Sequence, residues 1–436
     1  MANTKRGKAQ TGDGVLARLG QFEGWPCLDY PLLAAVGLLF VIGVIMVYSA
    51  TFDWANQEHQ QPAYYLLRQL AWGGIGLLGM VIIASVDYTI WQRFSLLVLL
   101  GALSMLIAVL LFGSYKFGAQ RSFLGGSIQP SEFAKLATVL YIADWLASKG
   151  DKIRDTSYGL IPFSVLMAVI AGLVVMQPDF STAILLVITA STMFFLAGAE
   201  LKQVLIGGGA MIGTFVLLIA NSPHARDRID AFIKTLSDSS QAGYHVQQAL
   251  LAFGSGGITG RGLGTSVQKL GYLPVAHTDS IFAVMGEELG LIGCLLVLSL
   301  FTLLAYRGFK IASESPDVFG ALLAAGITCW VTFEAILNIT VVTGLAPFTG
   351  VALPFLSYGG SALISIMGGV GLLLSVSRGT RQPSSQLSYR RSRAARPSKR
   401  PSPTPKPSLR QGYLGTVMDL RRGDGRPRLS RPRRGK

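Results

Sequence analysis

The sequence predicts an all-α integral membrane protein with ten transmembrane helices, both termini on the inner side, and a large outer loop between helices seven and eight. Three observations predict it. Half of the 436 residues are hydrophobic and only 14% are charged, with a mean hydropathy of +0.47, more apolar mass than a soluble core of this size requires. That mass lies in runs of about 17–25 residues, the helical length that crosses a hydrocarbon layer about 30 Å thick. Lys and Arg are unevenly divided between alternate connections.

The expected spans are 31–50, 69–86, 94–113, 131–147, 160–176, 182–198, 204–220, 281–306, 318–342 and 361–377. An even number puts both termini on one side. With the N-terminus inside, the inner segments before the tail carry Lys5, Arg6, Lys8, Arg18, Arg93, Lys149, Lys152, Arg154, Lys202, Arg307 and Lys310, whereas the short outer loops carry Arg68, Lys116 and Arg121. Both termini are therefore expected inside. The first apolar run begins near Leu32 with no small-residue cleavage site behind a short core, so it reads as a retained helix rather than a removed signal peptide.

The net charge of +15 raises the question of nucleic acid, and its location answers it. From Arg378 to Lys436 there are 18 Lys or Arg against 2 Asp or Glu, so the preceding 377 residues sum to −1. The basic character belongs to a Pro/Ser/Arg-rich tail, expected to be disordered and drawn to anionic membrane lipid, and no nucleic-acid partner is expected. The expected organisation is a cytoplasmic segment 1–29, a ten-helix membrane domain 30–378 with its outer loop at 221–278, and a basic cytoplasmic tail 379–436. Cys27, Cys294 and Cys329 are scattered, so neither a disulfide framework nor a metal-ligand cluster is visible.

The outer loop is far longer than neighbouring helices need, and such loops usually carry function. Ile229, Phe232, Ile233 and Leu236 recur at helical spacing among Asp227, Arg228, Asp230 and Lys234, which predicts an amphipathic helix lying in the membrane interface or packed on other helices. The glycine-rich run 254–264 lacks the Gly-Lys-Ser/Thr ending and the preceding strand of a nucleotide loop. It reads instead as a flexible loop that approaches a ligand through its backbone.

Ionisable residues at membrane depth are expensive and are functional candidates by default. They are Glu132, Lys135, Asp144, Asp279, Glu287, Glu288 and Glu334. Glu132 and Lys135 lie three apart on one helical face, where a structural ion pair competes with a site role. Asp279 stands where the outer loop meets the eighth span. A desolvated general base and a simple helix cap are equally good readings of it from spacing alone. Glu287 and Glu288 cannot both face lipid. The Pro/Gly-rich but apolar segment 344–361 suits a re-entrant stretch, tolerated only where protein buries it or a cavity wets it.

At these segments the chain resembles the SEDS family (shape, elongation, division and sporulation), whose members polymerise peptidoglycan glycan strands. The resemblance spans about residues 29 to 378 and is carried by Val47-Tyr-Ser-Ala50, Gln129-Pro-Ser-Glu-Phe-Ala-Lys135, Gln177-Pro-Asp-Phe180, Gly254-Ser-Gly-Gly257, His277-Thr-Asp279, Gly286-Glu-Glu-Leu-Gly290 and Leu353-Pro-Phe-Leu-Ser-Tyr-Gly-Gly-Ser361. Met46-Val-Tyr-Ser-Ala50, Gly271-Tyr-Leu-Pro274 and Thr349-Gly-Val-Ala-Leu-Pro354 are more similar to the FtsW division branch than to the RodA elongation branch. The chain departs from the family pattern at Ser280, Ser122 and His245, where Phe, Trp and Gln are usual.

The resemblance implies that Asp279 is the essential aspartate and that Arg121, Glu132, Lys135, His277 and Ser357 bind the substrate in a central cavity, with Arg121 and Lys135 holding its pyrophosphate. The implied substrate is lipid II, and the implied chemistry is an inverting transfer with Asp279 as base and release of undecaprenyl pyrophosphate. A divalent cation beside the pyrophosphate is compatible with that chemistry, although no ligand cluster marks one. The resemblance also implies a class B penicillin-binding protein and septal division proteins as partners, and the division septum of the plasma membrane as location. A lipid II flippase, an elongation polymerase and a scaffold are the rival readings.

Overall fold

The structure is a computed structural model that describes residues 28–116, 119–123, 127–221, 223–237, 243–347 and 349–380. Cys27, most of the expected N-terminal segment and all but the first residues of the expected tail lie outside the described residues. The architecture is all-α and built for a membrane. Among the described residues, eight helices are long and apolar enough to cross a bilayer.

In chain order the helices are α1 (Tyr30–His59), α2 (Tyr64–Ser85), α3 (Tyr88–Phe112), α4 (Pro130–Lys149), α5 (Ile161–Val175), α6 (Phe180–Leu196), α7 (Leu201–Asn221), α8 (Pro223–Ser237), α9 (Tyr244–Gly256), α10 (Ile281–Glu314), α11 (Val318–Val342) and α12 (Gly360–Thr380). Each expected span overlaps one helix. The two expected spans outside the group of eight are α4, which carries Glu132, Lys135 and Asp144, and α6, which has only 17 residues. Two elements were not anticipated: helix α9 in the outer loop, and β1 (Ser114–Lys116) with β2 (Ala119–Ser122), a two-stranded antiparallel pair before α4.

Local chemistry explains the helix starts. Asp29, Asp87, Asp179 and Asp317 each accept a backbone N–H from the first turn of α1, α3, α6 and α11, satisfying donors that a helix N-terminus leaves open. Asp29 also pairs with Arg307 near the far end of α10, and Tyr88 donates to Asp317. These contacts tie together the ends of helices distant in sequence. In the bundle α12 packs along α2, α10 lies against α11, α1 and α9, and α4 against α3 and α11.

The segment between α11 and α12 is irregular yet buried, with Leu353, Phe355 and Leu356 at 1%, 2% and 0% exposure. Its backbone survives there because its polar groups have partners. Asn338 Nδ2 donates to the Val351 carbonyl at 2.6 Å, Ser181 Oγ to that of Thr349 at 2.8 Å, and Leu353 N–H to Ser357 Oγ at 2.7 Å. Gly43 of α1 lets this segment approach: a Cβ there would stand 2.3 Å from the Phe355 carbonyl oxygen.

The glycine-rich run corrects the expectation of a flexible, ligand-cradling loop. A Cβ on Gly256 would meet the Gly286 oxygen at 2.0 Å, and one on Gly260 the Glu288 oxygen at 2.2 Å. The run therefore packs backbone against backbone on α10, where the helix breaks at Gly290 with φ 67°. Arg261 and Gly262 N–H donate to the carbonyls of Glu287 and Glu288. Gly256 and Gly260 thus serve close packing, whereas a Cβ on Gly254, Gly257 or Gly264 would meet nothing within 4 Å.

Candidate active site

Asp279 closes the turn that leads into α10. The helix itself starts at Ser280, whose carbonyl accepts from Ala283 and Val284, and no side chain caps it. Of the two readings the sequence left open, capping is not the one observed, so the Asp279 carboxyl is not engaged by the helix it precedes. Its main-chain carbonyl accepts from Asn338 Nδ2 at 2.8 Å, and a Cβ on Gly350 would stand 3.1 Å from its Oδ2. The glycine leaves room for the carboxyl.

Burial raises the Asp279 carboxyl above the ordinary carboxylate pKa, against the lowering pull of the Thr278 side chain, Arg121 and Arg228; Asp179 adds a smaller raising push. Opposing influences of that kind are what a base near neutrality needs. The arrangement also shows what surrounds the group. Arg121 comes from β2, Arg228 from α8, and Asp179 from the cap of α6, where it also accepts from Gln129 Nε2 at 3.2 Å and Ser131 Oγ at 3.4 Å. Both guanidinium groups favour the ionised carboxyl.

The turn holding Asp279 is clamped from below. Ser357 Oγ donates to the Thr278 carbonyl at 2.6 Å while accepting from Leu353 N–H, and Tyr358 N–H donates to the His277 carbonyl at 3.0 Å. Ser357 thus acts on the aspartate's backbone. The His277 ring joins an aromatic group with Trp54, Tyr65 and Tyr358. Ser280 and His245, two positions where the chain departs from the family pattern, meet each other: Ser280 Oγ lies 3.3 Å from His245 Nε2. Burial lowers the His245 pKa, which favours its neutral ring.

Glu132 and Lys135 do form the ion pair the spacing allows, at 2.9 Å, and a third group joins them. Glu334 of α11 lies 2.5 Å from the same ammonium, and Lys135 is only 1% exposed, with its Nζ 5.6 Å from the Trp330 ring centre. Glu334 and Asn338 are four apart on α11, one turn of the same face, so the triad sits one turn along from the residue that holds Asp279. The Glu132 carbonyl is fixed by Ser365 of α12 at 2.7 Å.

Glu287 and Glu288 are not part of this wall. Glu287 accepts from Ser266 Oγ and from Val267 and Gln268 N–H, and Arg261 lies 3.3 Å away. Glu288 pairs with Lys269 at 2.9 Å and accepts from Ser49 of α1. Both carboxylates anchor the return of the outer loop. Asp144, also named from its depth, is bonded by Gln92 and Ser95 of α3.

Sequence reasoning named Asp279, Arg121, Glu132 and Lys135, and missed Asp179, Asn338 and Arg228 as neighbours of the aspartate. Asp179 three residues before Thr182 is legible as a cap, but its second role depends on α6 meeting α4. Asn338, an amide among apolar residues of a span, was a signal that could have been used. An open cavity of about 230 Å³ adjoins the site, lined by Arg228, Ala231 and Phe232 of α8, Tyr244, His245 and Val246 of α9, and Gly344. Among the described residues no group of three or more His, Cys, Asp or Glu is placed to hold a metal ion.

Comparison with known proteins agrees with this arrangement. Residues 30–382 match the FtsW/RodA/SpoVE family model, described as cell cycle protein. The chain is 40% identical over 355 residues to the probable peptidoglycan glycosyltransferase FtsW of Trichlorobacter lovleyi, covering 80% of this chain and 93% of that one. It is also 40% identical over 358 residues to stage V sporulation protein E of Bacillus subtilis, covering 81% and 98%. Among solved structures, one on the coordination of polymerization and crosslinking by a peptidoglycan synthase complex aligns with a TM-score of 0.67 at 26% identity, covering 82% of this chain and all of that one. The rod shape determining protein RodA of Thermus thermophilus aligns at 0.61 and 27% identity, covering 82% and 99%. With its membrane helices, its carboxylate-centred site and these matches, the chain belongs to the FtsW/RodA/SpoVE family of cell cycle proteins.

Proposed function

We propose that this protein polymerises peptidoglycan glycan strands from lipid II, with Asp279 as general base, at the outer face of the plasma membrane. The observation that carries the reading is the Asp279 carboxyl: uncapped, raised in pKa by burial, and faced by Arg121 and Arg228. Its relatives' names support the activity, and the synthase-complex likeness supports a class B penicillin-binding protein as partner. The FtsW-type relatives favour a septal role with division proteins over an elongation role.

In the proposed step Asp279 takes the proton from the 4-hydroxyl of the acceptor GlcNAc. The hydroxyl oxygen bonds to C1 of the donor MurNAc, and the C1–oxygen bond to the lipid breaks with inversion, its electron pair leaving on undecaprenyl pyrophosphate. One base suffices, because the donor is already activated. Arg121 faces the growing charge of the pyrophosphate. Glu132 and Lys135 complete the floor, where Lys135 offsets carboxylate charge that would otherwise repel an anionic substrate. His277 and Ser357 hold the turn and flank the substrate.

All ten apolar helices cross the bilayer in this reading, with both termini inside, segment 1–29 and the basic tail 379–436 in the cytoplasm, and loop 221–278 outside. The test supplies purified protein, with its partner, with labelled lipid II. Glycan ladders that vanish with Asp279→Ala support the proposal. Ladders undiminished in that variant reject the base, and lipid II that crosses liposomes without polymerising moves the assignment to a flippase.

A further inference from the structure

Apart from His277, the aromatic group near Asp279 is not used by the proposed chemistry. Trp54 and Tyr65 are stacked with centroids 5.0 Å apart and planes 8° from parallel, so Tyr65 backs one face of the indole. The His277 ring stands 4.7 Å from Trp54, and Tyr358 meets Tyr65 edge-on at 5.4 Å. Tyr65 is only 8% exposed, whereas Trp54 is 43% exposed. A buried aromatic stack thus presents one indole outward.

Position argues against simple burial in lipid. Trp54 lies 24 residues beyond Tyr30 on one continuous helix, roughly 36 Å at the helical rise, and so past a hydrocarbon core of about 30 Å. A ring of an interfacial aromatic belt needs no fixed orientation. This one is oriented by three chain segments: α1, α2 and the turn of His277. That turn carries the aspartate two residues on, a separation of at most about 7 Å along the chain, so the segment that steadies the indole is the one that carries the base.

We propose that Trp54, backed by Tyr65 and steadied by His277, is a pyranose-stacking platform that holds the glycan strand beside Asp279. The proposal deepens the polymerase reading and rests on it. A β-1,4-linked strand of GlcNAc and MurNAc carries its ring substituents equatorially, so both faces of each ring present axial C–H bonds. Their weakly positive hydrogens match the negative face of an indole. Stacking of this kind is uncharged and repeats from ring to ring. It keeps hold of a strand that must shift by a disaccharide after each transfer.

The experiment uses the full-length protein with its penicillin-binding partner and labelled lipid II, and compares the parent, Trp54→Ala and Trp54→Phe. Strand lengths are read on gels, and thermal midpoints control for folding. In parallel, the Asp279→Asn protein, with and without Trp54→Ala, is titrated with soluble uncross-linked glycan fragments. Trp54→Ala is expected to shorten the strands and weaken fragment binding about threefold to tenfold, the worth of one aromatic stack, while Trp54→Phe retains most of both. Unchanged lengths and fragment binding in Trp54→Ala overturn the platform. So does an equal loss in both variants with a lowered midpoint, which marks the ring as packing alone. A parent that makes no strands refutes the polymerase reading, and fragment binding still decides the platform.

Discussion

Helices α7 and α12 are near equals in sequence and opposites in the structure. Their hydropathies are 1.6 and 1.8, yet 6% of the α7 window is buried and 89% of the α12 window. Both contain clustered glycines, the small residues that let helices approach, so composition does not separate them. Cross-helix bonds and matching surfaces do. In α12, Ser361, Ser365, Ser375 and Arg378 bond to Gln129, Glu132, Val86 and Ala84, and a Cβ on Gly371 would stand 2.8 Å from the Met80 carbonyl. In α7, Thr214 returns its hydroxyl to its own helix, and Cβ atoms on Gly208, Gly209 and Gly213 would meet nothing within 4 Å.

The firmly packed side of the molecule is also the side that holds Asp279, through Asn338 and Ser357. Four measurements break or sharpen that contrast. The largest effect belongs to the aspartate: Asp279→Asn keeps the shape and removes the proposed base, and polymerisation of labelled lipid II is expected to fall by about 10²–10⁴-fold. A rate within threefold of the parent, by contrast, leaves the well-packed side without a chemical purpose.

Next come paired glycine substitutions. Gly43→Leu drives a side chain into the buried 353–356 backbone and is expected to cost about 1–3 kcal/mol or more, read as a lowered unfolding midpoint in detergent. Gly208→Leu on α7 is expected to stay within about 0.5 kcal/mol of the parent. Equal losses at the two positions break the contrast between the helices.

Asn338→Leu follows. It leaves the Asp279 and Val351 carbonyls without their shared donor, for about 1–3 kcal/mol per orphaned group. Thermal unfolding measures that loss, and strand synthesis is expected to drop with it because the aspartate's turn is released.

The smallest effect is electrostatic. In its proposed role Asp279 must be ionised, so the rate is expected to fall as pH drops through a pKa above the ordinary carboxylate value, the direction in which burial shifts it. Arg121 favours the ionised form. Arg121→Ala therefore moves the acid limb of the pH–rate profile upward, in addition to weakening substrate binding. A limb that stays in place puts Arg121 too far away to act on the base.

Much of the fold is legible in the amino-acid sequence. Apolar run length, the spacing of Ile229, Phe232 and Ile233, and the aspartates that open helices are local signals, because helix period and capping depend on neighbours within one turn. The site is legible in part. Asp279 stands out because a carboxyl at the mouth of a span is expensive, but spacing cannot tell a base from a cap. The structure shows no side-chain cap at the start of α10, which removes the cap and leaves the base as the proposal to be tested.

By itself, then, the sequence determined the membrane class, where the apolar helices run, the amphipathic α8 and the short list of ionisable groups from which a site must be drawn. Only the tertiary structure sorted that list. It gave Glu334 to Lys135, set Glu287 and Glu288 to anchoring the outer loop, put Asp279 under the electrostatic influence of Arg121, Arg228 and Asp179, and packed Gly256 and Gly260 of the glycine-rich run against α10. The physical reason is that hydrophobicity sets which segments leave water, while partners across helices depend on how each helix is rotated about its axis and on which neighbour it meets. Those choices are made by close packing and by the satisfaction of buried polar groups, and neither is a property of any one segment.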